Sequence, residues 1–299
     1  MSQAIVAIQP TPAHTNHAAL MPGPYATGQE VTVACLECHE TAAQEMMQTT
    51  HWTWESEPVQ LPGRDELVTV GKKNQLNNFC IGIQGNWTGC TSCHAGYGWE
   101  DATFDFVEQA NVDCLVCHDT TGNYRKQPGL AGNVVAKDTE IPPGSGTIVK
   151  GIDLTKIAQK VGKSSRDTCG TCHFFGGGGD GVKHGDLDSS MAAPDKELDV
   201  HMDAAGLDFT CATCHKGSSH DVAGSRSSMT AKDTKGAHIR GATDKGNPAT
   251  CVSCHGPVPH KQQARLNQHA AKLACQACHI PSYARGGVAA KMTWDWSKA

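Results

Sequence analysis

The chain contains 299 residues, of which 38% are apolar and only 5% are aromatic. This apolar fraction lies below the roughly 45–50% of an ordinary globular domain, so the polypeptide alone offers little material for a large core. The formal net charge of −5 argues against nucleic acid as a partner, and no apolar run predicts a transmembrane segment.

The first stretch, residues 1–34, is predicted to be an extended N-terminal arm. Its four prolines, between positions 10 and 24, oppose helix formation. His14 and His17 are the residues of this arm with obvious metal chemistry. Each has two interpretations: a solvated loop histidine, or a ligand to a metal centre, including one carried by a neighbouring copy of the chain.

A repeated cysteine motif dominates the rest of the chain. Fourteen of the fifteen cysteines fall in C-x-x-C-H sequences, with a histidine directly after the second cysteine. Disulfide frameworks do not require that histidine, and zinc ribbons do not have it in this position. The pattern is the attachment signature of haem c, in which both cysteines form thioethers and the histidine binds iron. The seven motifs are Cys35/Cys38/His39, Cys90/Cys93/His94, Cys114/Cys117/His118, Cys169/Cys172/His173, Cys211/Cys214/His215, Cys251/Cys254/His255 and Cys275/Cys278/His279.

Seven covalently bound haems would supply the apolar surface that the polypeptide lacks. Residues 35–299 are therefore predicted to form a single multihaem domain with the haems as its core. Covalent haem attachment takes place outside the cytoplasmic membrane, which predicts an exported protein, periplasmic or extracellular. Residues 1–9 have neither the basic nor the long apolar part of a signal peptide, which predicts that the numbered chain is a mature or trimmed form.

The remaining histidines are candidates for the second, distal ligand of each iron. Of sixteen histidines, nine lie outside the motifs, which is enough for two-histidine coordination at every haem. Such iron exchanges electrons with little rearrangement but leaves no position for a substrate. The nine candidates are His14, His17, His51, His184, His201, His220, His238, His260 and His269.

Helices are predicted next to several of these histidines. Residues 39–49 form a short helical pattern that ends just before His51. Residues 153–161 form another. Residues 261–274 form the strongest pattern, with His269 on the apolar face.

The glycine-rich loop over residues 176–188 is the most unusual stretch. Glycines let a backbone lie close against a flat ligand, which makes His184 within it a strong candidate ligand. Its carboxylates have two interpretations, calcium binding or a solvated acidic loop, and they are Asp180, Asp186 and Asp188.

The spacing of the motifs favours electron transfer. Successive motifs begin 55, 24, 55, 42, 40 and 24 residues apart. The two short gaps predict two close haem pairs, one at Cys90 and Cys114 and one at Cys251 and Cys275. Short separations of this kind force the irons into a chain or branched array, so redox proteins or neighbouring copies of the chain are the expected partners.

Several stretches resemble the octahaem tetrathionate reductase family of multihaem cytochromes. The resemblance implies a mainly α fold with much irregular structure around the haems. It also implies reduction of tetrathionate, nitrite or hydroxylamine at one haem that carries a lysine on its distal side. The matching stretches are Thr27–His39, Thr50–Trp54, Gly71–Ile81, Cys90–Gly98, Asp113–Thr121, Cys169–Ser190 and Leu273–Ala284.

The resemblance also indicates which residues would do the chemistry. Lys126 matches the family's ligating lysine and would serve the haem at Cys90/Cys93/His94. Adjacent Arg125 is an alternative alignment, but arginine stays protonated and does not ligate iron. Lys72 and Lys73 are further alternatives. The other candidate catalytic groups are Asp119 and Cys80, the latter being either a buried free thiol or a thiol that faces the reactive haem.

One departure from the family leaves two functions open. Family members continue beyond a segment like Thr293–Ser297 and add an eighth haem, whereas this chain carries seven motifs, as a truncated chain or a shorter variant would. The first hypothesis is an electron-transfer cytochrome with a reductase site. The alternative is a non-catalytic conduit that polymerises into an extracellular filament, with His14 or His17 ligating a neighbour's haem.

Overall fold

The computed structural model describes residues 15–56, 58–76, 81–174, 179–180, 187–215, 217–218, 220–222, 226–227, 237–238 and 251–280. Four predicted site residues lie outside these ranges: His14, Cys80, His184 and Asp186.

Short helices joined by irregular segments make up most of the described chain. The longest helix has nine residues, so no helix in the described ranges is long enough to be stable without tertiary packing. The α-helices are α1 Gly28–Leu36, α2 Ala42–Met47, α3 Thr50–Thr53, α4 Trp87–Cys90, α5 Leu115–His118, α6 Leu154–Ala158, α7 Arg166–His173, α8 Cys211–Cys214, α9 Cys251–His255, α10 Ala264–Ala270 and α11 Gln276–His279. Single 3-10 turns cover Ile83–Gly85, Thr91–Cys93, Gln109–Asn111 and Ser189–Ala192.

Strands contribute only four antiparallel pairs of two residues each in the described ranges. They are β1 Val59–Gln60 with β2 Leu67–Val68, β3 Thr139–Glu140 with β4 Ile148–Val149, β5 Gly217–Ser218 with β6 Asp221–Val222, and β7 Arg226–Ser227 with β8 Ala237–His238. Isolated two-residue ladders cannot form a sheet core. The described structure is therefore helical and irregular, with little strand.

Most of the C-x-x-C-H motifs close one helical turn. The histidine N–H donates to the carbonyl of the first cysteine in several motifs, at 2.9 Å for His39, 3.1 Å for His118 and 2.8 Å for His215. This i to i+4 bond brings the first cysteine and the histidine onto the same face of the turn. These motifs thus present a sulfur and an imidazole to the same side.

The N-terminal arm differs from the sequence prediction at its end. Residues from Gly28 onward form helix α1, although an extended arm is predicted up to residue 34. The Thr27 side chain accepts from the Glu30 N–H and caps the helix. The prolines that oppose helix all lie before this cap, which is why their effect stops there.

A small apolar core lies under the first and third motifs. Val31 of α1 packs with residues of α5 and α6, and Tyr97 and Tyr124 complete the cluster. Helices α1 and α6 thereby hold two haem-attachment turns against one another. The predicted helix over 153–161 is observed as α6, and the helix predicted over 261–274 is shorter, spanning only α10.

Arg166, the first residue of α7, anchors the segment that follows the fourth motif. Its guanidinium donates to the carbonyl oxygens of Ala192 at 2.9 Å, Met202 at 3.1 Å and Phe209 at 3.0 Å, and pairs with Asp208 at 2.7 Å. The segment over 192–209 is thereby folded back onto α7, and it carries His201 with it.

Candidate metal centres

Five motif histidines each face a second histidine from outside their own motif. The two ring centres are between 5.9 and 6.4 Å apart in every pair. The pairs are His39 with His17, His173 with His51, His118 with His220, His255 with His201, and His279 with His260.

This spacing fits two imidazoles that share one iron. A metal–imidazole bond is about 2 Å long and the nitrogen lies about 1 Å from its ring centre, so two axial imidazoles have ring centres roughly 6 Å apart. The cysteines of each motif lie one turn away for the thioether bonds. The donor sets therefore fit haem iron held between two histidines, and haem bound there would supply one-electron redox chemistry.

Hydrogen bonds orient several of these rings through the nitrogen that an iron ligand leaves free. Nδ1 of His118 lies 2.7 Å from the Gly162 carbonyl oxygen, and Nδ1 of His17 lies 2.8 Å from the Thr15 carbonyl oxygen. Nδ1 of His220 instead lies 2.9 Å from a carboxylate oxygen of Glu45. Such partners fix the ring orientation and leave Nε2 for the metal.

The surroundings of His51 favour its neutral form. Its pKa is lowered by burial and further by the charge of His215. A neutral imidazole is the form that binds a metal, so the burial of His51 favours ligation of the iron attached at His173.

His94, the histidine of the second motif, has a different environment. Its side chain is fully buried, and among the described residues its ring contacts are all with tryptophan and phenylalanine. The aromatic residues around it are Trp52, Trp54, Trp99, Phe104 and Phe106. Within the described residues, no ring of a distal candidate such as His201 or His220 packs against the His94 ring.

The two ring nitrogens of His94 are unequal. One lies 2.7 Å from the Trp52 carbonyl oxygen, and Nδ1 is buried without a hydrogen-bond partner in the described structure. Burial, then the charge of Lys126, lowers the pKa of His94 to about 3. The uncommitted nitrogen of His94 is thus Nδ1, the reverse of His118 and His17, whose Nδ1 is engaged. Binding of iron through Nε2 of His94 would require that nitrogen to leave the Trp52 carbonyl oxygen.

The Lys126 ammonium lies on the backbone side of the second motif. It donates to the carbonyl oxygens of His94 at 2.6 Å and Gly96 at 2.8 Å, and it pairs with Asp113 at 3.0 Å. An ammonium has three hydrogens, so these oxygens match its full donor capacity. In this arrangement Lys126 joins two haem-attachment turns, and ligation of iron would require its amine to leave all three oxygens.

Asp113 is the residue that sequence reasoning missed here. Its carboxylate also accepts from the hydroxyls of Tyr97 at 2.8 Å and Tyr124 at 2.9 Å and from the Val116 N–H at 3.0 Å. The pKa values of both tyrosines are raised by burial, and the charge of Asp113 adds to the effect. The sequence offered one clue to this role: Asp113 lies directly before Cys114, the first cysteine of the third motif.

Lys72 and Lys73, the alternative lysines, lie against aromatic residues that surround His94. Nζ of Lys72 lies 4.2 Å from the ring centre of Trp54, and Trp54 packs on His94 at 5.4 Å between ring centres. The charge of Lys72 also contributes to the lowered pKa of His94. Lys73 instead pairs with Glu55 at 3.4 Å. The structure thus brings both Lys126 and Lys72 near the second motif.

The Asp119 carboxylate stabilises the turn that follows it in the chain. Its carboxylate accepts from the N–H and the hydroxyl of Thr121, both at 2.7 Å, and from the Tyr124 N–H at 3.1 Å. These bonds fix the loop that leads from the third motif towards Lys126.

Cysteines of different motifs lie next to one another. Four pairs are in hydrogen-bond contact, and two further pairs are close enough for electrostatic interaction. The pairs in contact are Cys35–Cys114, Cys93–Cys172, Cys169–Cys211 and Cys251–Cys275, and the further pairs are Cys117–Cys169 and Cys214–Cys251. The hydrogen bond with Cys172 is the main cause that lowers the pKa of Cys93 to about 6.

One of these contacts matches the motif spacing, since Cys251 and Cys275 lie together, as their short gap predicts. Cys114 contacts Cys35, because helix α1 packs Cys35 against the third motif. The same helix carries Thr32, whose hydroxyl lies 3.9 Å from the Cys114 sulfur. The close haem pair at Cys90 and Cys114 stays a prediction.

The second cysteine of some motifs is exposed in the polypeptide. In each of these motifs the first cysteine is half-buried instead. The exposed cysteines are Cys38 of the first motif, Cys214 of the fifth, Cys254 of the sixth and Cys278 of the seventh.

In these motifs the first sulfur meets another motif, as Cys35 meets Cys114 and Cys251 meets Cys275. Second cysteines make such contacts as well, as Cys93 does with Cys172. The thioether bonds of Cys38, Cys254 and Cys278 remain a prediction from the motif.

The remaining distal candidates have no iron assigned to them here. His184 lies outside the described residues, and His238 is described only as part of strand β8. His269 lies exposed on α10, because the apolar face predicted for this helix is itself open, with Leu266 42% and Leu273 50% exposed.

Calcium binding finds no support in the described ranges. No group of three or more histidine, cysteine, aspartate or glutamate side chains there could hold a metal ion by itself. The Asp180 carboxylate accepts from the Ser189 N–H at 2.9 Å, and Asp188 accepts from the Ser190 N–H at 2.9 Å. Both carboxylates are thus used in local turns.

Among the described helices, none combines the length and the apolar character needed to cross a lipid bilayer.

Comparison with known proteins connects this geometry to a solved fold. No protein-family model matches the chain. An uncharacterized protein of Archaeoglobus fulgidus is 25% identical over 254 residues, which cover 72% of this chain and 82% of the relative. The crystal structure of an octaheme cytochrome c from Shewanella oneidensis is 47% identical, with a TM-score of 0.72 over 96% of this chain. This chain covers 57% of that protein's length. The similarity supports covalently bound haem c, and the fold of this chain is that of a multihaem c-type cytochrome.

Proposed function

We propose that this chain is an exported electron-transfer protein that binds seven haems c and passes electrons along them. The observation that carries the proposal is the set of five histidine pairs with ring centres 5.9–6.4 Å apart. Iron with both axial positions filled changes little on reduction, which suits electron transfer rather than substrate binding.

The contacts between cysteines suggest the route. Each cysteine marks one edge of its haem, so neighbouring sulfurs imply neighbouring haem edges. The contacts connect the first motif to the third, the third to the fourth, the fourth to the fifth, the fifth to the sixth and the sixth to the seventh. The second motif is a branch on the fourth. Electrons would therefore enter or leave at the first or seventh haem, through redox partner proteins.

A haem count and a redox titration test this proposal. Pyridine haemochrome analysis should give seven haems per chain, and the oxidised protein should show mostly low-spin iron. Complete reduction by one electron per haem is expected over a broad range of potentials. A protein with fewer than five low-spin haems would contradict it.

A second candidate function is reduction of a small inorganic acceptor at the haem of the second motif. The observation that favours it is His94, whose described ring contacts are all with tryptophan and phenylalanine while two lysines lie nearby. An amine ligand on that iron would leave it exchangeable, and nearby cations would stabilise negative charge on a bound acceptor. Asp119 and Cys80 remain proposed members of this site. By the family resemblance, the substrates are tetrathionate, nitrite or hydroxylamine.

Stopped-flow reoxidation tests the reductase proposal. The fully reduced protein should be reoxidised by tetrathionate or hydroxylamine, and the reaction should slow when the ligating amine is removed. Lys72→Met and Lys126→Met make a matched pair that distinguishes the two lysines. If neither acceptor reoxidises the reduced protein, the chain is a conduit without a reductase site.

The filament alternative rests on a histidine of the N-terminal arm reaching a neighbouring copy. His17 lies 6.3 Å from His39 of its own chain, measured between ring centres, which favours completion of its own haem. Light scattering of the purified protein tests this alternative, since a filament would give particles far larger than one chain.

A further inference from the structure

The distal histidine His220 has a carboxylate within hydrogen-bond distance of its ring, whereas the described carboxylate nearest to the His201 ring, that of Asp199, lies 3.7 Å away. Nδ1 of His220 lies 2.9 Å from Oε2 of Glu45, a residue of helix α2 that is 175 positions earlier in the chain. Its partner across the iron, His118, directs Nδ1 to a neutral backbone carbonyl, that of Gly162, at 2.7 Å. The two histidines of this pair therefore have partners of different charge.

The chain holds both members of this contact in place. The other carboxylate oxygen of Glu45 accepts from the Thr41 hydroxyl at 3.0 Å, and the Glu45 N–H donates to the Thr41 carbonyl at 2.9 Å. His220 lies in the turn between β5 and β6 with a backbone φ of +62°. A non-glycine residue is seldom found in this conformation, and such positions cluster at functional sites.

We infer that Glu45 is a positioning residue that lowers the reduction potential of the haem attached at Cys114 and Cys117. The inference rests on the proposed function, because it takes His118 and His220 as the two ligands of that iron. The physical reason is that a carboxylate accepting the Nδ1–H of an axial imidazole pulls that proton away from the ring. The ring then donates more strongly to iron, and together with the added negative charge this stabilises the ferric state.

The position of this haem gives the effect a consequence for electron flow. The third motif lies between the first and the fourth in the sequence of cysteine contacts. A lowered potential there would make electron transfer onto the third haem thermodynamically unfavourable. Electrons that pass between the first haem and the fourth would have to cross this unfavourable intermediate. Glu45 would thus influence the rate of transfer along this part of the chain while the haem stays fully six-coordinate.

The test is the potential of this haem in variants of the complete haem-loaded protein. Glu45→Gln keeps the shape and an acceptor oxygen but removes the charge, and Glu45→Leu removes both. A tenfold weaker preference for the ferric state on loss of this charge would raise the potential by about 59 mV for one electron. We expect a rise of this size in Glu45→Gln and a larger one in Glu45→Leu, measured by EPR-monitored redox titration.

Three further variants separate the outcomes. Glu66→Gln makes the same charge change at an exposed residue paired with Arg64, and it should leave all potentials unchanged. Glu45→Asp should restore part of the wild-type potential. His220→Ala tests the underlying assignment, since it should convert one haem to high spin at an unchanged haem count. If it does so and Glu45→Gln shifts no potential, the role of Glu45 is refuted. If it leaves every haem low-spin, the ligand assignment, and the inference with it, is wrong.

Discussion

Nζ of Lys126 lies 3.0 Å from Oδ2 of Asp113, and both side chains are almost completely buried, with 3% and 0% of their surface exposed. The pair connects the turn of the second motif to that of the third. A buried ion pair gives little net stability compared with an apolar pair, but removing one partner leaves an uncompensated charge. The consequence is a strong penalty for losing either residue.

We therefore predict that Lys126→Met destabilises the protein by about 3–5 kcal/mol, the typical cost of breaking a buried pair. Chemical denaturation followed by circular dichroism measures the loss. Lys150→Met is the matched control, because Lys150 and Asp138 form an exposed pair with 79% and 53% of their side-chain surface accessible. Equal midpoints for the two variants would show that the buried pair does not stabilise the fold.

Close packing at Gly28 supports a second prediction. A Cβ added at Gly28 would lie 2.3 Å from the ring of Tyr97, and Tyr97 is held by its hydrogen bond to Asp113. Gly28→Ala should cost about 1–3 kcal/mol, as overpacking in a core usually does. Gly82→Ala, where nothing lies within 4 Å of the added Cβ, should be neutral in the same denaturation assay. A Gly28→Ala protein as stable as Gly82→Ala would contradict the packing of α1 on Tyr97.

The sequence predicts the attachment turns because their chemistry is local: cysteine, cysteine and histidine must lie within one helical turn. The pairing of His51 with His173, or of Cys35 with Cys114, depends on which turns the rest of the chain brings together. No periodicity encodes such contacts. The role of Lys126 is another case, because its amine is paired with Asp113, a residue beside the third motif to which the motif itself assigns no role.

The angles between paired rings give a spectroscopic prediction. His17 and His39 are nearly parallel at 19°, whereas His51 and His173 are nearly perpendicular at 78°. The angle between axial imidazole planes determines how the iron d orbitals split, so the two arrangements give different low-spin EPR signals. The ferric protein should show both a rhombic class and a highly anisotropic class.

Single histidine variants then assign these signals. His17→Ala should remove one rhombic signal, and His51→Ala should remove one highly anisotropic signal, each with the appearance of one high-spin haem. Loss of the same class of signal in both variants would contradict the ring angles.

His260 and His269 provide the sharpest comparison among the distal candidates. The His260 ring lies 6.0 Å from that of His279 and within 13° of parallel to it. The His260 backbone is held by Asn267 of α10, whose amide donates to the His260 carbonyl at 2.7 Å. His269 lies on the same helix but is exposed.

Since an axial ligand must be directed at its iron, His260→Ala should produce one high-spin haem, and His269→Ala should produce none. The absorption spectrum and EPR of the ferric protein report the spin state, and pyridine haemochrome analysis checks that both variants retain the wild-type haem content. A high-spin haem in His269→Ala alone would mean that His269, and not His260, completes the seventh site.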